Sequence, residues 1–469
     1  MAACELGSET STAVAQLSDA YHLSILLGAG ASVAAGLPSW DELAVRMLRS
    51  AGAIDDAGTA RAYLLGQDPT LAAEAARASA TDWSQVVREA MYGPDDARFY
   101  PGPLHLAVAS LAATRQRGAS TLVTLNLDDL LEEALRDALA ELGRDEGVVS
   151  RTAAAPRASG SDHEIQHLHG LLPRASSAAS ALVLTLSDFN ALGAVAHPWQ
   201  ASALGEAMSK GPLVLAGTSF RDVDIRQWLH AIGTQQRPHG APVLALVARE
   251  GLGLSRRQFA DVADAMRKQW AAVGIEALLV QDHSESAQFL REIPAAGLSD
   301  YSVPQERAAR LWREHVVEFT ERQTLHSAML ELDRRNLPTR RGQETDLTLW
   351  LADGSSELTR WSSHDRLYRT PENLRRVPLG HDSPWTAARA ISRNEVLVEA
   401  AAPPPTGSRR WRTIVAGPLT ATLPGGPNLV VGALSAATTA DIGEDEEEWR
   451  TAIADLVEAW GDRVAGTAR

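Results

Sequence analysis

From residue 21 to about residue 295 the chain alternates short, continuously apolar runs with longer stretches of helical period. The runs read "LSILLG", "STLVTLN", "IQHLHG", "ALVLTL", "PLVLAG", "PVLALV" and "IEALLV". Continuous rather than alternating apolarity suits strands covered on both faces of a parallel sheet. This region therefore predicts an α/β domain with a doubly wound, Rossmann-like parallel sheet. Between Ala51 and Pro101 the period is helical throughout, as in "LAAEAARASATDWSQVVREAM", which predicts a helical insertion over the sheet, placed to close a pocket. The stretch "SDYSVPQERAARLWREHVVEFTERQTLHSAMLELDRRN" is polar and rich in Glu and Arg, with Leu325, Met329 and Leu332 at coiled-coil spacing, and predicts a connecting helix. Beyond about Leu337 the texture changes to short strands ("DLTLWLADG", "ELTRWSSH", "EVLVEA", "RTIVAGPL", "NLVVGALS") and a closing acidic helix, the pattern of a separate antiparallel α+β domain. The division expected is 1–298, 299–338 and 339–469.

Composition narrows the function classes. A chain of 469 residues exceeds one ordinary core, so two or three domains are expected. The net charge of −15 argues against a nucleic-acid surface, which needs clustered basic groups. Lysine occurs only at 210 and 268, which with the alanine excess reads as codon bias rather than arginine chemistry. The one cysteine, Cys4, excludes an internal disulfide and a four-cysteine or three-cysteine zinc ribbon, so no metal is expected. The N-terminal stretch lacks a basic segment followed by an apolar one, and no run reaches about 18 uncharged apolar residues, so a cytoplasmic protein without membrane contact is expected.

Four short pieces carry candidate chemistry, each at the end of an apolar run. "GAGASVAAGLP" sets Gly28, Ala29, Gly30, Ser32, Gly36 and Pro38 at a strand-to-helix turn, where backbone N–H groups and the helix dipole favour a pyrophosphate. The hydride-transfer fingerprint wants a third glycine where Val33 stands, and no acidic residue ends a second strand roughly 20 residues on. Tight packing alone is the structural alternative. "TLNLDD" sets Asn126 and Asp128 just past a strand; Asp128 and Asp129 are also suited to capping the next helix. "HLHG" sets His167 and His169 on opposite faces of a strand, one able to face a ligand while the other packs. "AGTSFRDVD" follows another buried run, with Gly217, Thr218 and Ser219 suited to a ribose or phosphate, and Asp222 and Asp224 suited to a helix cap.

In that order the pieces resemble the sirtuin family: a "GAGxS…GLP" turn, a "T-x-N-x-D" strand end, an "HG" strand end and a "GTS" strand end, within residues 20 to about 295. "LVLTLSDFN" and "GIEALLVQDHSESAQFLREI" look like the bacterial branch found in antiphage effectors, which includes the NAD-hydrolysing subunit of the Thoeris system. The resemblance implies a sirtuin-like NAD site, with NAD as substrate. It implies Asn126 and His169 as catalytic residues, Asp128 as an orienting one, Gly28, Ala29, Gly30, Ser32, Gly36 and Pro38 around the pyrophosphate, and Gly217, Thr218 and Ser219 on the adenosine side. Two departures stand out: the family's deacylases carry a four-cysteine zinc module and read "GIPDFR", where this chain has one cysteine and "GLPSWDE". NAD hydrolysis to nicotinamide and ADP-ribose is the expected reaction; NAD-dependent deacylation, ADP-ribosyl transfer and an idle NAD or ADP-ribose sensor are the alternatives.

Residues 339–469 resemble a GAF-type sensory domain in the order of their elements, with Trp361, Trp385, Arg389 and Trp411 as candidates to line a pocket. An enzyme that consumes NAD harms its own cell unless restrained, so this domain is expected to receive a small-molecule or phage-derived activator, with assembly into a homo-oligomer.

Overall fold

In a computed structural model, residues 3–93, 98–154, 162–175, 180–218, 223–235, 241–401 and 410–466 are described. The chain forms two compact units, Ala20–Leu279 on one side and Met1–Asp19 with Val280–Arg469 on the other. No described helix is long and apolar enough to cross a membrane.

The first unit is built on strands β1 (Leu23–Leu27), β2 (Ser120–Thr124), β3 (Gly147–Arg151), β4 (Asp162–His167), β5 (Leu213–Ala216), β6 (Val243–Ala248) and β7 (Glu276–Val280), in the order β3-β4-β2-β1-β5-β6-β7. The pairings from β3 through to β6 are parallel. Central strands β1, β5 and β6 are buried along their whole length, as their continuous apolarity requires. Chain order reverses at β1 and β5, which makes their carboxyl ends the topological switch point. Register sharpens this: Leu27 pairs with Thr124 and with Ala216, and Thr124 pairs with His167. Four strands thus stop level, and the residues that follow them emerge along one edge.

One expected strand is not a strand. "ALVLTL" runs as an extended loop, held by Ser180 N–H to Leu171 O at 3.0 Å and Val183 N–H to His169 O at 2.9 Å. It ends because Thr185 and Asp188 form a reciprocal cap that starts the helix Leu186–Gly193. The seventh strand is β3, "GVVSR", a half-exposed edge whose two valines are too few for a periodic signal. The insertion over 51–101 is helical as expected, with helices Ala57–Leu64, Pro69–Ser79 and Trp83–Tyr92. Their apolar faces share one core with Leu127, Leu130, Leu172 and Leu184, which lie beyond the ends of β2 and β4.

The second unit carries a six-stranded sheet of β8 (Thr345–Ala352), β9 (Glu357–Ser363), β10 (Arg376–Pro378), β11 (Leu397–Ala400), β12 (Thr413–Ala421) and β13 (Leu429–Thr438). Its order is β10-β9-β8-β13-β12-β11, antiparallel throughout. The stretch 299–338 forms two helices, Pro304–Val317 and Phe319–Arg334, which belong to this unit and contribute Leu311, Phe319 and Leu330 to its core. The buried stripe of the second helix is Phe319, Gln323, His326, Ser327 and Leu330, while Leu325 and Leu332 are exposed. The boundary between units lies at Leu279, earlier than the residue 298 drawn from the sequence, because the helix His283–Glu292 is grouped with the second unit.

Candidate active site

The level ends of β1, β2, β4 and β5 bring Gly28, Asn126, His169 and Gly217 to one edge of the sheet. The Gly28 and Gly217 turns interlock. A Cβ on Gly28 would lie 2.7 Å from Gly217 O, and one on Gly217, whose φ is +67°, would lie 2.8 Å from Ala31 N. Gly30 N–H donates to Gly217 O at 2.7 Å, Gly28 N–H to Ala216 O at 2.9 Å and Ala31 N–H to Gly28 O at 3.1 Å. These amides are occupied by neighbouring carbonyls, so close packing of the two turns is a large part of what the glycines do. The helix after the turn, Gly30–Val33, lasts one turn and leaves Val33 40% exposed, which removes the need for a third glycine. Gly36 adopts φ +91° and leads through Leu37 and Pro38 to Ser39, which caps the helix Trp40–Ser50.

Beside the turn lies a buried chain of side chains. Asn126 Nδ2 donates to Ser32 Oγ at 2.7 Å, and Ser32 Oγ donates to Asp128 Oδ2 at 2.7 Å. Ser32 has a single hydroxyl proton and a carboxylate only accepts, so the amide must present its NH₂ to Ser32. The other end of that amide follows: Asn126 Oδ1 is buried with no hydrogen-bond partner among the described residues. Asp128 Oδ1 accepts from Leu130 N at 3.2 Å, so Asp128 both holds Ser32 and caps the next helix. Asp129 makes no such cap; its Oδ1 accepts from Arg174 N at 3.4 Å.

The two histidines separate. His169 lies just past β4 with its ring edge-on to Phe189 at 5.5 Å. His167 is fully buried, its Nδ1 3.0 Å from Asn126 O and its Nε2 2.7 Å from Glu132 Oε1, which also accepts from Ser150 Oγ at 2.5 Å. Burial alone would lower the His167 pKa, but the Glu132 carboxylate outweighs it and the net direction is upward. Burial likewise works to raise Glu132, and the hydrogen bonds from His167 and Ser150 carry it below the ordinary carboxylate value. The sequence marks Ser32 only as a phosphate neighbour; its bridging position, and the whole of Glu132, depend on contacts between distant segments. His105 was missed for the same reason: fully buried, its Nδ1 accepts from Gly102 N at 3.2 Å, and burial lowers its pKa against the pull of Asp128 and Glu132.

Thr218 is half-buried beside Gly217. Ser219 and Asp222 lie outside the described residues, as does the side chain of Asp224. In the second unit the candidate pocket residues have the following partners. Trp361 is a core residue whose Nε1 donates to His326 Nδ1 at 2.9 Å, Trp385 packs against Trp350, Arg389 is paired with Glu399, and Arg410 stacks on Trp411. Cys4 is buried there, its thiol pushed up to about 12 by desolvation. Among the described residues one group has metal-compatible spacing, Asp346, His364 and Asp365. Within it Arg360 donates to Asp346 Oδ2 and Ser363 Oγ to Asp365 Oδ1, while His364 Nδ1 accepts from Leu347 N and Asp346 Oδ1 has no hydrogen-bond partner among the described residues.

Residues 120–278 match the protein family described as a SIR2-like domain. The matched stretch contains Asn126, Asp128, His169, Gly217 and Thr218 but not the Gly28 turn. No curated protein matches the chain. Among solved structures, a Sir2 homolog in a complex with NAD is 16% identical; the alignment covers 61% of this chain and 94% of that one, with a TM-score of 0.31.

Proposed function

We propose that the chain hydrolyses NAD at the nicotinamide–ribose bond, giving nicotinamide and ADP-ribose. The observation that carries this reading is Asn126, whose amide is locked by Ser32 and Asp128 with Oδ1 left as a buried, unsatisfied acceptor at the switch point of the sheet. Leaving such an acceptor unmade costs about 1–3 kcal/mol, a cost that a bound hydroxyl or water donor removes. The SIR2-like match over 120–278 supports NAD as the molecule that supplies it.

The chemistry asks little of a nucleophile. The pyridinium is a cationic leaving group and the transition state resembles an oxocarbenium ion, as in glycoside hydrolysis. The electron pair of the C–N bond leaves with nicotinamide, the oxygen of water bonds the anomeric carbon, and its proton passes to His169 and then to solvent. Asn126 Oδ1 accepts from the attacking water or a ribose hydroxyl, and Asp128 orients through Ser32. The turns at Gly28, Ala29, Gly30 and Ser32 and at Gly217, with Thr218 and Ser219, take the pyrophosphate and adenosine side, and Gly36 and Pro38 shape the far end of the first turn.

The six-stranded antiparallel sheet of the second unit, carrying the expected order of strands, central helix and closing helix, supports a GAF-like sensory reading of 339–469. The whole chain is then a regulated antiphage effector that depletes cytoplasmic NAD when an activator or self-assembly releases it.

Mass spectrometry of NAD incubated with the full chain, with and without lysate from phage-infected cells, tests the reading. Nicotinamide and free ADP-ribose are expected, with turnover lowered about 100- to 10,000-fold in His169→Ala and by a similar factor in Asn126→Ala. Intact NAD under both conditions, or variants equal to wild type, overturns it. ADP-ribosylated protein, or O-acetyl-ADP-ribose formed with an acyl peptide, assigns the site to transfer instead. Full turnover without lysate overturns the regulated role alone.

A further inference from the structure

Behind Asn126 lies a buried pair that the proposed hydrolysis does not use. Its side chains are 0% exposed at His167 and 1% at Glu132, with Nε2 to Oε1 at 2.7 Å. The pair meets the site through His167 Nδ1, 3.0 Å from the backbone oxygen of Asn126. The peptide of Asn126 is held from its other side as well, its N–H donating to Thr124 Oγ1 at 3.0 Å, and Thr124 Oγ1 in turn donates to Leu27 O at 3.3 Å. Asn126 therefore sits in a loop whose N–H, C=O and side-chain NH₂ are each engaged by a separate buried group, while Oδ1 is not.

We propose that Glu132 and His167 are positioning residues: the pair clamps the Asn126 carbonyl and so fixes the direction in which Oδ1 points. The geometry demands donation at Nδ1, because a carbonyl only accepts, and places Nε2 on a carboxylate that Ser150 steadies from the other side. Glu132 is thus to His167 what an orienting carboxylate is to an imidazole in other sites, except that the imidazole here holds a backbone oxygen and never meets substrate. The inference deepens the hydrolase reading and rests on it for its kinetic consequence, but the clamp itself is a property of the protein without ligand.

Two side-chain geometries separate positioning from mere packing. The amide nitrogen of asparagine overlays Nδ1 of histidine, whereas that of glutamine overlays Nε2. His167→Asn keeps the donor to Asn126 and loses Glu132; His167→Gln does the reverse. The clamp expects NAD turnover to fall on the order of 100-fold in His167→Gln, in kcat and not in KM, with substantial recovery in His167→Asn. Equal losses in both variants, or a loss confined to thermal stability, overturn it. An activity-free reading keeps the test independent of the hydrolase proposal. In protein labelled with ¹⁵N-asparagine, the Asn126 side-chain NH₂ resonances are expected to hold one shifted, slowly exchanging position in wild type and His167→Asn, and to lose it in His167→Gln. Unchanged resonances in His167→Gln overturn the clamp whether or not NAD is consumed, while a perturbed Asn126 in a protein that leaves NAD intact upholds the clamp and removes the hydrolase reading.

Discussion

The two units place their buried polarity differently. In the parallel unit Asn126, Ser32 and Asp128 gather where the strands stop, and Asn126 Oδ1 is left unmet there. In the antiparallel unit Trp361 pairs with His326, Arg389 with Glu399 and Arg307 with Glu292, while other buried atoms, among them Thr359 Oγ1 and Ser362 Oγ of β9, are left unmet within the sheet. An unmet buried acceptor at the strand ends of a parallel sheet lies where such sheets receive ligands, whereas one within an antiparallel sheet does not.

Substitutions can break this contrast. The largest stability effect is expected at the interlocked turns: Gly217→Ala adds a Cβ 2.8 Å from Ala31 N at φ +67° and should destabilise the parallel unit by roughly 2–5 kcal/mol. Gly342→Ala, at φ +86° in open space, should cost only about 1–2 kcal/mol, and denaturant unfolding of the two variants checks the difference. In the antiparallel unit, Trp361→Phe removes the donor to His326 Nδ1 and should cost about 1–3 kcal/mol while leaving any NAD turnover of the activated chain within about twofold. A large loss of turnover there would show that satisfied groups in this unit also serve the site.

The buried histidines respond to pH in two directions, His105 of the parallel unit being lowered like those of the antiparallel one. Burial, together with neighbouring cationic groups, holds His315 at about 4 and His326 at about 3. Both stay neutral in the fold while the unfolded chain binds protons below about 6.5, so their contribution is present above 6.5 and is lost as pH falls towards 4. Between pH 6.5 and 5 each should cost roughly 1–2 kcal/mol, and His326→Gln should flatten the fall in unfolding midpoint. His167 runs the other way. With its pKa raised and that of Glu132 lowered, the pair contributes in full between pH 4.5 and 6.5. It weakens only as pH rises through the folded value of His167 or falls through that of Glu132. Hydrogen exchange at Asn126 N–H and Leu168 N–H across that range reads this smallest effect.

Much of the parallel unit is legible in the chain because a strand buried on both faces is mostly apolar: β5 and β6 are so throughout, and β1 has only Ser24, whose Oγ donates to Ala207 O at 2.8 Å. The same rule overreads "ALVLTL", where Thr185 and Asp188 cap a helix, and underreads "GVVSR", where an edge strand needs little apolar surface. Leu325 and Leu332 show the limit of spacing arguments: the helix buries the neighbouring stripe, with Gln323 and His326 taking polar partners in the core. At the site, the strand-end residues are visible as types at turn positions. Ser32 to Asp128 and His167 to Glu132 are not, since each joins residues whose separation carries no period.

The reciprocal seat of Gly28 and Gly217 also sets when the edge comes into being. These two turns meet only after the intervening chain has closed into one long loop, among the slowest contacts a chain can make. A nascent chain that has not yet presented β5 to β1 has the Gly28 turn and the Asn126 segment but no wall opposite them. Any binding that needs both turns therefore begins only after β5 has been synthesised and docked beside β1.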